Sequence, residues 1–115
     1  MPERKLIGIV DDNIQTAVSI SQTLDFNGFQ TFQAYNEKSL KEELEDKKPD
    51  LIIISANMIK EQICVLLRKL RTIVLIISHD KPKVLCGLKN IKGTITKPIK
   101  PETLLKKVRK ELDLK

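Results

Sequence analysis

Pro49-Asp50-Leu51-Ile52-Ile53-Ile54-Ser55 sets four consecutive aliphatic residues between a proline that closes the preceding segment and a terminal hydroxyl. An unbroken apolar run of this length, without polar alternation, is the pattern of a parallel strand buried on both faces. Two runs of the same kind stand on either side of it. Leu6-Ile7-Gly8-Ile9-Val10 ends on Asp11-Asp12-Asn13, and Thr72-Ile73-Val74-Leu75-Ile76-Ile77 ends on Ser78.

Around these strands the apolar period lengthens to that of a helix. Ile14, Ala17, Val18, Ser21 and Leu24 form one stripe, with Asp11-Asp12-Asn13 as N-cap candidates and Gly28 as the stop. Phe29 to Ala34 alternates and reads as a second strand near a sheet edge. Asn36 is placed to cap a second helix carrying Leu40 and Leu44, and Met58 to Leu70 reads as a third with Ile63, Leu66, Leu67 and Leu70 inward. Asp80 and Pro82 open a fourth, with Val84, Leu85 and Leu88 inward. Ile91 to Thr96 is a fifth, weaker strand. Pro101 opens a fifth helix with Leu104, Leu105, Val108 and Leu112 inward, behind Lys100, a poor N-cap. Strand followed by helix, five times over, implies an α/β fold: a doubly wound five-stranded parallel sheet with right-handed crossovers, one domain over residues 1–115. Functional groups in such sheets collect at the carboxyl ends of the strands. Those ends are Asp11/Asp12, Ser55, Ser78 and Thr96/Lys97, all polar.

Composition narrows the class. Hydrophobic residues make up 41% and charged residues 31%, which fits a soluble globular chain. Phe26, Phe29, Phe32 and Tyr35 are the only aromatics, so the core is aliphatic. No run reaches transmembrane length and no signal-peptide core follows Met1, so a cytoplasmic protein without membrane contact is expected. Cys64 and Cys86 lack metal or redox spacing and read as buried thiols. Charge is uneven: residues 1–59 carry 6 Lys/Arg against 10 Asp/Glu, and residues 60–115 carry 15 against 5. The lysines are spread among apolar positions, which favours solvated helix faces over a nucleic-acid surface. The cluster Lys106, Lys107, Arg109, Lys110 has no aromatic near it in sequence, so nucleic acid is not the expected partner. An enzyme is the least favoured class: His79 is the sole histidine, and no glycine-rich phosphate loop is present.

Over nearly its whole length the chain resembles the receiver domain of response regulators, on Ile9-Val10-Asp11-Asp12-Asn13, Pro49-Asp50 with the run to Ser55, the strand ending on Ser78, and Ile95-Thr96-Lys97-Pro98-Ile99. The resemblance implies the flavodoxin-like or CheY-like (βα)5 fold with strand order 2-1-3-4-5. It implies that Asp11 and Asp12, with the backbone carbonyl of Asn57, hold Mg²⁺, as paired carboxylates suit a hard cation that keeps its waters. It implies that Ser78 and Lys97 are remnants of the phosphoryl pocket and that Pro98 follows a cis peptide. The departures are equally specific. Ser55 stands where the family has its phosphoacceptor aspartate, and a serine cannot form an acyl phosphate or supply that metal-binding charge. Thr94 stands at the aromatic switch position, and the segments between Leu70 and Thr72 and between Ser78 and Gly93 look short for the family.

These departures together imply a pseudo-receiver: a phosphorylation-independent interaction module that needs no cofactor and binds Mg²⁺ weakly. Its expected partner is a histidine kinase or another signalling protein, met through the fourth helix, fifth strand and fifth helix, with homodimerisation through the first or fifth helix as an open mode. The alternatives are phosphorylation at Asp11 or Asp12, or a basic nucleic-acid-associated module. Lys97, deprived of its usual partner, is expected to pair with Asp11 or Asp12, because a buried unpaired ammonium is costly.

Overall fold

Five parallel strands form one sheet in the order β2-β1-β3-β4-β5 in the computed structural model, which describes residues 4–70, 72–79 and 91–113. The strands are β1 (Leu6–Val10), β2 (Gln30–Ala34), β3 (Leu51–Ser55), β4 (Ile73–Ser78) and β5 (Ile91–Thr96). The helices are α1 (Ile14–Phe26), α2 (Glu37–Asp46), α3 (Glu61–Leu70) and α4 (Pro101–Glu111). The expected order and topology are met, and α4 is the helix that the sequence numbers as fifth. The expected fourth helix, with Asp80, Pro82, Val84, Leu85 and Leu88, lies outside the described residues.

Every residue of β3 is buried, as its unbroken apolar run requires, and it sits between β1 and β4 at the centre of the sheet. Its start is tied to β1 twice: the Leu6 N–H donates to Asp50 Oδ2 at 2.8 Å, and the Asp50 N–H to the Leu6 carbonyl at 2.7 Å. Asp50 thus pins the register that brings Val10 beside Ile54. β2 is an edge strand, in keeping with its alternation. Between β4 and β5 the ladder slips: Val74 pairs with Ile91 but Leu75 with Gly93, so Lys92 is one residue extra.

Alternation along the strands divides the core in two. Ile7, Ile9, Leu51, Ile53, Leu75, Ile77 and Ile95 face α1 and α4, where Leu24, Leu104 and Val108 meet them. Val10, Phe32, Ile52, Ile54, Val74 and Ile76 face α2 and α3, under Leu40, Ile63 and Leu67. Each fully buried side chain of this size contributes about 1.5–3 kcal/mol through removal from water.

Local signals place the helix ends. Asn13 caps α1 by accepting from the Thr16 N–H at 3.1 Å. After Asn27 the chain turns left-handed at Gly28 (φ +93°), where the Gly28 N–H donates to the Asp25 carbonyl and the Phe29 N–H to the Leu24 carbonyl. Asn36 and Ser39 form a reciprocal capping box on α2. Lys100 caps α4 with no side-chain bond, and Pro101 fixes the first turn instead.

Three expectations are corrected. The buried stripe of α1 is Ala17, Ile20, Ser21 and Leu24, while Ile14, in the first turn, is exposed. The third helix begins at Glu61 rather than Met58, because Ala56–Met58 forms a separate 3₁₀ turn over the end of β3. Cys64 is buried but disulfide-bonded, so its reading as a buried thiol fails. Cys86 lies outside the described residues. Among the described residues no helix is long and apolar enough to cross a membrane.

Candidate functional site

Four strand ends and the turn after β3 converge on one cavity of about 420 Å³, lined by Asp11, Asp12, Asn13, Ser55, Ala56, Asn57, Ile77, Ser78, His79 and Lys97. Asp11 follows β1, Ser55 closes β3, Ser78 closes β4 and Lys97 follows β5. The parallel arrangement brings together groups that lie up to 86 positions apart in the chain, counting from Asp11 to Lys97. The Lys97 N–H donates to the Ser78 carbonyl at 2.9 Å, which carries the β4–β5 pairing past the strand ends. The Lys97–Pro98 peptide is cis. Thr94 is half-buried in mid-strand opposite Ile76, on the sheet face opposite to that of Ile95.

Ser55 is only 6% exposed, and its hydroxyl donates to Asn57 Oδ1. The Asn57 amide nitrogen lies 3.3 Å from both carboxylate oxygens of Asp12. A hydrogen-bonded chain therefore runs from the serine through the asparagine to the exposed member of the acidic pair. Asp11 is the buried member, 1% exposed. Its Oδ1 accepts from the Asn13 N–H at 2.9 Å, while its Oδ2 has no hydrogen-bond partner. Burial pushes the Asp11 carboxyl above its ordinary value; the Asn13 N–H and the charge of Lys97 pull it back, and the Asp12 charge adds to the rise.

The expected ion pair between Lys97 and the acidic residues is not formed. The ion pairs among the described residues, Lys41–Glu37, Lys47–Glu43 and Lys47–Asp46, involve α2 and the residue that follows it. Lys97 lines the cavity and is half-buried, so burial does not force a direct ionic partner on its ammonium.

Asp11 sets up a stability prediction. A carboxyl whose folded pKa is raised favours folding below its unfolded pKa, and that contribution is lost as pH rises through the folded pKa. Ionised Asp11, with one oxygen buried and unmatched, thus opposes folding at neutral pH. Asp11→Asn keeps the acceptor for Asn13 and removes the charge. It is expected to raise the unfolding free energy by about 1–2 kcal/mol in chelator at neutral pH, with the gain shrinking in mildly acidic buffer. Urea titrations at both pH values check this; an equal or lower midpoint at neutral pH contradicts it.

As a cation site, the cavity offers two carboxylates, the orphaned Asp11 Oδ2 among them, which is the donor chemistry of a hard ion that retains its waters. Among the described residues no group of three His, Cys or acidic side chains is placed to hold a metal ion. Two features were not legible beforehand. His79, noted in the sequence only as the sole histidine, lines the cavity, and the Asn57 side chain, seen only as the bearer of a carbonyl, bridges two other site residues.

The sequence matches the response regulator receiver domain over residues 7–109. No curated protein matches it. Among solved structures, the CheY-like receiver domain protein of Methanospirillum hungatei is similar at 23% identity, with a TM-score of 0.79 and coverage of 96% of this chain and 95% of the other. The chemotaxis response regulator CheY4 of Vibrio cholerae shares 22% identity and a TM-score of 0.76, over 95% of this chain and 99% of its own. A two-component response regulator of Clostridium difficile shares 20% identity and a TM-score of 0.83, over 96% and 97%. With the family match spanning nearly all of the sheet and α4, the chain belongs to the response regulator receiver domain family of two-component signalling.

Proposed function

We propose that this chain is a receiver domain that works by binding a protein partner and not by accepting a phosphoryl group. The observation that carries this reading is the Ser55 hydroxyl, whose proton is directed at an amide oxygen, Asn57 Oδ1. An amide oxygen is no base, so nothing in that bond activates the serine as a nucleophile. Thr94, at the switch position, has no ring with which to report a change in the cavity. The domain has no catalytic role in this reading, and no cofactor is required. Asp11 and Asp12 hold Mg²⁺ weakly through water, with the Asn57 carbonyl as the third donor.

The partner is a signalling protein met on β5 and α4. There Lys92, Lys106, Arg109 and Lys110 are exposed, and among the described residues none of them forms an ion pair. An acidic protein surface complements them, and such complementarity acts chiefly on association rate and partner choice. Incubation with acetyl phosphate and Mg²⁺, followed by intact-mass measurement, is expected to show unmodified protein. A stoichiometric, acid-stable and base-labile adduct sinks the reading.

A further inference from the structure

Ser55 and Asn57 do more to the cavity than remove a nucleophile. The Asn57 amide nitrogen stands 3.3 Å from Asp12 Oδ1 and 3.3 Å from Asp12 Oδ2, facing both lone-pair edges of the carboxylate. That is the position from which a directly bound cation would approach Asp12. The amide is held that way round from its other end. Its oxygen accepts the Ser55 hydroxyl proton, which leaves the NH₂ group to turn toward the negative charge. A carboxylate at position 55 could not donate that bond, so the lock depends on serine. Asp11 meanwhile keeps a buried oxygen with no partner in the same cavity, so the amide serves one carboxylate and not the other.

We infer that Asn57 is an internal occupant of the cation site: pinned by Ser55, its amide satisfies Asp12 in place of a metal and must swing away before a divalent ion can bind there. The inference rests on the reading of this cavity as a receiver site without its acceptor, and it adds what holds the site closed. Asn57 is exposed and its backbone carbonyl survives substitution, so Asn57→Ala removes the occupant and leaves the fold and the remaining donors in place.

The test is Mn²⁺ titration of the full chain, reading free Mn²⁺ by its paramagnetic resonance, beside thermal unfolding in chelator. Asn57→Ala is expected to bind Mn²⁺ about five- to tenfold more tightly than the parent, as loss of a hydrogen bond to a charged group from the metal-free state implies. It is also expected to unfold at a lower temperature in chelator and to recover with added Mn²⁺. Ser55→Ala shifts affinity in the same direction by less, and adds nothing further in the Asn57→Ala background, because its effect passes through the amide. Unchanged affinity in Asn57→Ala, or no Mn²⁺ binding by either protein, overturns the inference. So does a Ser55→Ala effect that persists in full without Asn57. No phosphoryl donor is present in these titrations, so their failure leaves the acetyl phosphate result to stand or fall by itself.

Discussion

Ser55→Asp is expected to take one phosphoryl group from acetyl phosphate in the presence of Mg²⁺, where the parent chain takes none. The substitution lands at the buried carboxyl end of β3, inside the cavity that Asp11, Asp12, Ser78 and Lys97 already line. It restores three things together: a carboxylate nucleophile, a third carboxylate for the cation and an anionic partner for Lys97. It also removes the donor that pins the Asn57 amide. The cost appears without metal. Three carboxylates in one small cavity repel one another, and Asp11 already has an oxygen unmatched. Ser55→Asp is therefore expected to lose about 1–3 kcal/mol of stability in chelator. Mg²⁺ at tenfold above its dissociation constant returns about 1.4 kcal/mol of that loss. Denaturation with and without Mg²⁺ measures the difference, and intact mass measures the adduct. A folded, Mg²⁺-responsive Ser55→Asp that stays unmodified would show that the remaining residues no longer orient a phosphoryl donor.

The second large effect is structural. Gly8 lies mid-strand in β1, paired with Phe32 of β2 and Ile52 of β3. A Cβ added there meets Phe32 Cζ at 2.5 Å and the ring's Cε1 and Cε2 at 3.0 Å. The ring cannot simply lift away: Phe32 is 6% exposed, and Lys47 Nζ sits over it, 5.9 Å from the ring centroid. Gly8→Val is expected to lower stability by about 3 kcal/mol through overpacking, and Gly8→Ala by somewhat less. Pairing Gly8→Ala with Phe32→Leu should cost clearly less than the two single changes added together, since the smaller side chain makes the room that the new methyl needs. Additive costs in a urea-denaturation cycle would place the strain elsewhere.

What the sequence disclosed, and what it hid, follows from the range of each signal. Strands β1, β3 and β4 were legible because burial on both faces leaves no choice of polar residue along them. Gly28, Asn36 and Pro101 marked helix ends because caps are local chemistry. The site's membership was legible for a related reason: in a parallel sheet, the residue after each strand is known to lie at the same end. The errors came where contact between distant segments decides. The third helix was begun too early because nothing in Met58 announces the 3₁₀ turn that precedes it. The Lys97 ion pair was expected on the premise that its ammonium is buried, and the residue is only half-buried. The close approach of Gly8 to Phe32, and of Asn57 to Asp12, arises between residues 24 and 45 positions apart, and neither leaves a trace in local pattern.

The division of the core by the sheet has a last consequence. The residues facing α1 and α4 and those facing α2 and α3 share no side chain, so the two faces are mechanically insulated except through the strands themselves. In a receiver that carries a phosphoryl group, an event at the strand ends reaches both faces at once. On the proposed reading, with Ser55 in that place, a partner on α4 loads the layer beneath α4, and no covalent event enters the other layer in step with it. So read, the domain would act as an adaptor, reading and answering through the same surface, and not as a relay.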